Sequence, residues 1–226
     1  MYLEYWPDTA SAMHRQTVLL HLTPYNSNLR LKRVMDIVGA LGLLVLSAPI
    51  WLAAMALIRL TSPGPVLFKQ TRLGRNRQPF TVWKLRTMAR EASGQEEGLR
   101  QKTAGHGPFF KINNDTRVTR VGKFLRKFSI DELPQLINVL KGEMSLVGPR
   151  PIRDFEFQQF EEWKQLRRFS VLPGLTCIWQ VSGRSNTSQV MRMQYDLQYA
   201  RDGSLLLDIK ILLKTIPAVL KADGAE

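Results

Sequence analysis

Two adjacent acids, Asp131 and Glu132, stand in the basic stretch Leu125-Arg126-Lys127-Phe128-Ser129-Ile130-Asp131-Glu132-Leu133-Pro134. Two readings are open to such a pair. Ser129 and Glu132 have the spacing of a helix capping box, and acids in a first helical turn are favoured by the helix dipole. Pro134 argues for a slightly later start, with Asp131 itself as the cap; such caps are common. The chemical reading uses the same geometry. Free N–H groups and the positive dipole end at a helix start suit a phosphate. A carboxylate there can attack phosphorus while its neighbour holds a divalent ion that neutralises phosphate oxygens. Adjacent helical side chains diverge by about 100°, which allows one to attack and the other to coordinate.

Basic residues recur beside residues that restrict or pack the backbone: Lys84-Leu85-Arg86, Arg126, Gly148-Pro149-Arg150-Pro151 and Gly183-Arg184. Arginine makes planar, forked contacts with phosphate oxygens. Singly, each is an ordinary solvated charge. Together, in a chain whose 32 Lys and Arg exceed its 19 Asp and Glu to leave +13, they suit phosphate recognition. Other chemistries lack support. There is no Walker A sequence and no dinucleotide glycine fingerprint. His14, His21 and His106 have no metal-ligand spacing, and Ser182 lies in no GxSxG elbow. Cys177 is the single cysteine, so no internal disulfide and no zinc cluster can form.

The elements that must position these groups begin with an apolar run, Ile37 to Ile58, that carries no charge. Its length is enough to span a bilayer core of about 30 Å. Pro49 near its middle removes a backbone hydrogen bond, and Ser47 offers a hydroxyl to a nearby carbonyl. Arg30, Lys32 and Arg33 precede the run; Arg59, Lys69, Arg72, Arg75 and Arg77 follow it. A spanning helix would put one basic flank outside, against the positive-inside tendency, so a re-entrant helix–break–helix is expected over 30–60. Lys32, Arg33 and Asp36 are expected at headgroup level. A core helix of a soluble protein is the competing reading, weakened by the length of the run.

Beyond it, Ser62-Pro63-Gly64-Pro65 is a rigid turn. Val66-Leu67-Phe68 and Phe80-Thr81-Val82-Trp83 read as two short strands around a basic loop with Gly74. Residues 89–108 read as a surface loop. Val118, Val121, Leu125 and Phe128 share a helical face, and a second helix is expected over about 131–141. A charged helix over about 153–168 and a loop at Pro173-Gly174 follow. Ser204 to Leu220 is amphipathic, suited either to a membrane surface or to the core. The expected fold is α+β and helix-rich: an N-terminal extension (1–29), the membrane hairpin (30–60), and a compact cytosolic domain (61–226) with a short β-hairpin and amphipathic interfacial helices.

These strings resemble the bacterial sugar transferase family, the monotopic polyprenyl-phosphate phosphoglycosyl transferases. The resemblance rests on Lys32-Arg33-Val34-Met35-Asp36, Pro63 to Gln70, Trp83 to Met88, Leu125 to Gln135, Ser145 to Pro151, Pro173 to Thr176, and Trp179 to Arg184. They run in family order over about residues 30–220. The resemblance implies that Asp131 attacks the β-phosphorus of a UDP-sugar, releasing UMP, and that a polyprenyl (undecaprenyl) phosphate then takes the phosphosugar. It further implies that Glu132 holds Mg²⁺. Lys84, Arg86, Arg126, Arg150 and Arg184 would be phosphate or nucleotide contacts. The chain would work at the cytoplasmic face of the bacterial inner membrane, in the initiating step of exopolysaccharide, capsule or O-antigen synthesis. It departs from the family in having Ala48, not Ser, directly before the bend proline, and in lacking the N-terminal membrane bundle of larger members. Two alternatives compete: a basic nucleic-acid binder, which no motif supports and the apolar run opposes, and an inactive membrane-surface scaffold of a polysaccharide assembly complex. The expected partners are the donor, the lipid acceptor and membrane lipid, with no nucleic acid; a homo-oligomer is compatible with the sequence.

Overall fold

In the computed structural model, residues 28–89, 115–157, 167–183 and 187–221 are described. Nearly all of the N-terminal extension, the 89–108 loop past Ala89, much of the expected 153–168 helix and Arg184 lie outside the described residues.

Helix α1 runs from Leu29 to Thr61, with Asn28 accepting from the Arg30 N–H at 2.8 Å to cap its start. It is a single unbroken helix with Pro49 inside. Proline has no N–H for the Val45 carbonyl. The Ser47 hydroxyl bonds not that carbonyl but Leu43's, at 2.5 Å, and the Trp51 indole reaches back to Leu44's at 3.4 Å. Both ends of α1 are packed while its middle is bare: Ala40, Ala54 and Ile58 are buried, whereas Val45 and Leu46 are 73% and 78% exposed. Among the described residues, α1 is the one helix long and apolar enough to cross a membrane.

The turn at Ser62–Pro65 feeds β1 (Leu67–Leu73), which pairs antiparallel with β2 (Pro79–Leu85), from Leu67 opposite Leu85 to Leu73 opposite Pro79. The strands are longer than their apolar cores suggested, because Lys69 and Thr71 occupy exposed positions of the ladder while Lys84 is half-buried on its other face. Next come α2 (Arg120–Lys127), a 3-10 turn (Ile130–Glu132) and α3 (Gln135–Lys141). Strand β3 (Ser145–Val147) pairs in parallel with β4 (Gly174–Thr176), so Pro173-Gly174 opens a strand where the sequence suggested only a loop. Helices α4 (Asp154–Phe157), α5 (Ile178–Ser182), α6 (Gln189–Asp202) and α7 (Leu205–Lys221) complete the order. The architecture is helix-rich, with small two-stranded sheets and one long apolar helix near the N-terminus.

The main core joins Ala40 of α1, Val82 of β2, Leu136 and Val139 of α3, Leu146 and Val147 of β3, Tyr199 of α6 and Ile211 of α7. Charged groups bolt α1 to this core. Lys32 Nζ lies 2.9 Å from Asp208 and 3.4 Å from Asp36. Asp36 in turn accepts from Ser145 Oγ and the Leu146 N–H, both at 2.9 Å. Arg33 donates to the Val139 and Leu140 carbonyls at 2.6 Å each, satisfying the C-terminal end of α3. The charges of these three residues are therefore taken up within the folded domain. A buried charge needs partners, and the folded domain supplies them.

Candidate active site

The site is built on the turn between α2 and α3. Ser129 adopts left-handed backbone, φ 55°, which stops α2 and swings the chain into the 3-10 turn. There the Glu132 N–H bonds to the Ser129 carbonyl at 3.1 Å and the Leu133 N–H to the Ile130 carbonyl at 3.2 Å. The capping box expected from the sequence does not form. The Ser129 side chain makes no cap bond, α3 starts only at Gln135, and Pro134, not Asp131, occupies its cap position. The Glu132 carboxylate is engaged elsewhere. Its Oε1 lies 2.8 Å from Lys84 Nζ and 2.7 Å from Arg150 Nη2, and Oε2 lies 3.3 Å from Arg150 Nη1. Two cations supplied by β2 and by the segment after β3 bind it more strongly than a backbone N–H would.

Asp131 is only 8% exposed, yet among the described residues none donates a hydrogen bond to its carboxyl. Burial pushes its pKa up to about 6; Lys84 opposes this, Glu132 adds to it, and Arg126 and Arg150 oppose it. Its neighbour goes the other way. Burial also works to raise Glu132, but the charges and hydrogen bonds of Arg150 and Lys84 outweigh it and hold this carboxyl far below the usual range. Glu132 reciprocally raises Arg150. One carboxylate is thus locked in an ion-pair cluster while the next is buried without a hydrogen-bond donor. Three cations, Lys84, Arg126 and Arg150, act on two carboxylates, a positive balance that suits an anionic ligand.

A family profile described as bacterial sugar transferase matches residues 27–222. The chain belongs to the bacterial sugar transferase family. It is 44% identical over 203 residues to the UDP-glucose:undecaprenyl-phosphate glucose-1-phosphate transferase of Caulobacter vibrioides, covering 86% of this chain and 71% of that one. It is 40% identical over 198 residues to the exopolysaccharide production protein ExoY of Rhizobium meliloti, covering 86% and 87%. With the galactosyl transferase CpsE of Streptococcus agalactiae, identity is 41% over 201 residues, 88% of this chain but 44% of that protein. The chain therefore spans most of ExoY and less than half of CpsE.

In this sugar transferase, the basic residues singled out from sequence fall into three groups. Lys84 and Arg150 converge on Glu132. Arg126 stands nearby, held by Nε to Thr87 Oγ1 at 2.9 Å, with burial lowering its pKa and Asp131 opposing that shift. Arg86 points away: its guanidinium donates to the Pro63 carbonyl at 2.6 Å and to the Ser62 carbonyl and hydroxyl at 2.8 Å, fastening the end of α1 to β2. Ser47 and Pro49 belong to the bare middle of α1. Sequence reasoning missed Arg72, Arg168, Glu156 and Asp196, which pack behind Arg150 as two ion pairs. Their partners are distant in sequence, so no local spacing could have marked them.

The expected Mg²⁺ would have Glu132, already paired with Lys84 and Arg150, and Asp131 as its protein carboxylates. That ion is usually held by one or two protein carboxylates together with substrate phosphates and waters. Oε1 of Glu132 serves two cations, but Oε2 has one contact, at 3.3 Å, and the Asp131 carboxyl is next to it. Among the described residues no three Asp, Glu, His or Cys side chains gather into a protein-built metal cage.

Proposed function

We propose that this chain transfers a sugar 1-phosphate from a UDP-sugar to undecaprenyl phosphate through a covalent intermediate on Asp131, releasing UMP. This would be the initiating step of exopolysaccharide, capsule or O-antigen synthesis. The observation that carries the proposal is the contrast between neighbours: the buried Asp131 carboxyl has no hydrogen-bond donor among the described residues and a pKa near 6, while Glu132 is pinned by Lys84 and Arg150. The activity for which the Caulobacter relative is named, a glucose-1-phosphate transfer to undecaprenyl phosphate, supports the reaction class.

Two displacements make the cycle. A carboxylate oxygen of Asp131 bonds to the β-phosphorus, the bond from that phosphorus to the bridging oxygen breaks, and its electron pair leaves on UMP. A phosphate oxygen of the lipid then attacks the same phosphorus, breaking the bond to Asp131. The carboxylate is regenerated and the lipid carries a diphosphate sugar. Ionised at neutral pH, Asp131 needs no external base. Lys84, Arg126 and Arg150 would cradle the phosphate oxygens, and Arg184 is a further candidate contact for the nucleotide. Mg²⁺ would be held by Glu132 and would neutralise phosphate charge.

The membrane proposal is that α1 enters and leaves on the cytoplasmic side of the inner membrane, bending at Pro49. It is supported by the bare, apolar middle of α1 between two protein-packed ends and by basic residues on both flanks. The decisive experiment incubates the detergent-purified chain with a panel of UDP-sugars. UMP release, and a phosphosugar adduct on the Asp131 peptide by mass spectrometry, are expected with the accepted donor. An adduct still present in Asp131→Asn would refute the assignment.

A further inference from the structure

Arg150 stands between two prolines, and this has a structural consequence. Pro149 and Pro151 have no N–H, so the segment cannot be fixed through those donors. It is fixed instead through its carbonyls, four in succession, each by a different group. The Pro149 carbonyl accepts from the Gly174 N–H at 2.9 Å, and the Ile152 carbonyl from the Leu73 N–H at 2.9 Å. The two between them take side chains: the Arg150 carbonyl accepts from Arg168 Nη2 at 2.8 Å and the Pro151 carbonyl from Arg72 Nη1 at 3.3 Å. Both arginines are themselves held. Arg168 Nη2 lies 2.6 Å from Asp196 of α6, in a pair whose side chains are 3% and 6% exposed. Arg72 Nη1 lies 3.3 Å from Glu156 of α4. Behind the segment, a Cβ at Gly148 would strike the Leu172 carbonyl and one at Gly174 would strike Gly148, so the backbones touch and leave no slack.

We infer that the buried Arg168–Asp196 pair is a positioning device for Arg150, with Arg72 as its second arm. A single nitrogen, Nη2 of Arg168, serves both the Asp196 carboxylate and the Arg150 carbonyl, so α6 sets where the Arg150 backbone lies. From there the Arg150 fork closes on Glu132. A buried ion pair is a poor source of stability, because desolvation offsets the attraction. It does supply a rigid, directional donor, which a side chain that must meet a diphosphate at fixed geometry requires. Arg168 and Asp196 touch no reacting atom and act through Arg150.

The inference rests on the proposed function, and the test separates the two. Replacing both partners, Arg168→Met with Asp196→Leu, keeps the volume apolar and removes the donor to the Arg150 carbonyl; such exchanges are commonly tolerated. Two readouts on the full chain in detergent are donor kcat/KM, followed by UMP release, and affinity for inorganic pyrophosphate by calorimetry. Both are expected to fall about 10- to 100-fold, the scale of an ångström-sized misplacement. In an Arg150→Ala background, adding the pair should change neither by more than about twofold, since the effect passes through Arg150. A folded pair variant with the parent's kinetics and affinity overturns the inference, as does full additivity on Arg150→Ala, the mark of general structural damage. If the apolar pair does not fold, Arg168→Met with Asp196→Asn, which likewise removes the donor to the Arg150 carbonyl, carries the same expectations. A parent that releases no UMP, while the pair variant still loses pyrophosphate affinity, removes the functional reading and keeps the inference.

Discussion

Under the proposed mechanism Asp131 attacks as a buried carboxylate, and its surroundings would set both the pH range and the cost. Attack on phosphorus requires the ionised form. With a pKa raised to about 6 by burial, kcat/KM is expected to fall tenfold per pH unit below that value. Glu132 stays ionised across the same range, so the acid side should show one titration and not two; a flat profile down to pH 5 would contradict the assignment. The stability consequence has a definite sign. A carboxyl whose folded pKa lies above its ordinary 3.8 binds its proton more tightly when folded, so it favours folding at low pH and opposes it once ionised. The rise from 3.8 to about 6 corresponds to roughly 3 kcal/mol above pH 6. Asp131→Asn should therefore abolish the adduct while stabilising the fold by up to about that amount at pH 8. The gap should close as pH falls toward 4 in denaturant titrations. A destabilised Asn variant at pH 8 would mean the carboxylate is held by something other than the cations around it.

Elements explain why the acids were legible and their setting only partly so. The hairpin showed in the sequence because two short apolar runs, Val66-Leu67-Phe68 and Phe80-Thr81-Val82-Trp83, flank a basic loop with Gly74. The three-residue strands β3 and β4 did not, since their pairing is parallel and long-range and leaves no local period. Ser129-Ile130-Asp131-Glu132 carries a genuine capping pattern, which fails because Lys84 and Arg150, remote in sequence, claim the glutamate. Lys32, Arg33 and Asp36 looked like interfacial charges because their partners, Asp208, Ser145 and the end of α3, lie far down the chain. One glycine shows how tightly these elements meet at the site. A Cβ on Gly122 of α2 would collide with the Thr87 carbonyl, against which α2 packs backbone to backbone. Thr87 also holds Arg126 and receives the Thr119 N–H at 3.0 Å. Gly122→Ala is expected to cost about 1–3 kcal/mol, the usual range for overpacking, and to lower donor affinity as Arg126 moves. Thermal melts and UMP-release kinetics would check both; an unchanged Tm would show that α2 is free to shift.

For the whole molecule, the question is how a domain with net charge +13 sits against a bilayer. Among the described residues, two helices carry bare apolar surfaces. One is the middle of α1; the other is the outer face of α7, where Leu206, Leu213, Ile216 and Leu220 are 61–71% exposed while Asp208 and Ile211 are buried against the core. A straight α1 spanning the membrane would carry its far end away from the domain. Instead both ends are tied to it, Arg33 to α3 and Ser62 to Arg86, the residue after β2. Both ends should then face the same compartment. Leu29→Cys and Thr61→Cys place thiols at exposed positions on the two ends, and the native Cys177 is buried, with a pKa pushed up by burial, so it stays silent. A membrane-impermeant maleimide is expected to label both introduced thiols in inverted inner-membrane vesicles and neither in intact spheroplasts. Labelling of one end from each side would establish a span. The basic flanks would then need a different explanation, because one of them would lie on the side where cationic residues are disfavoured.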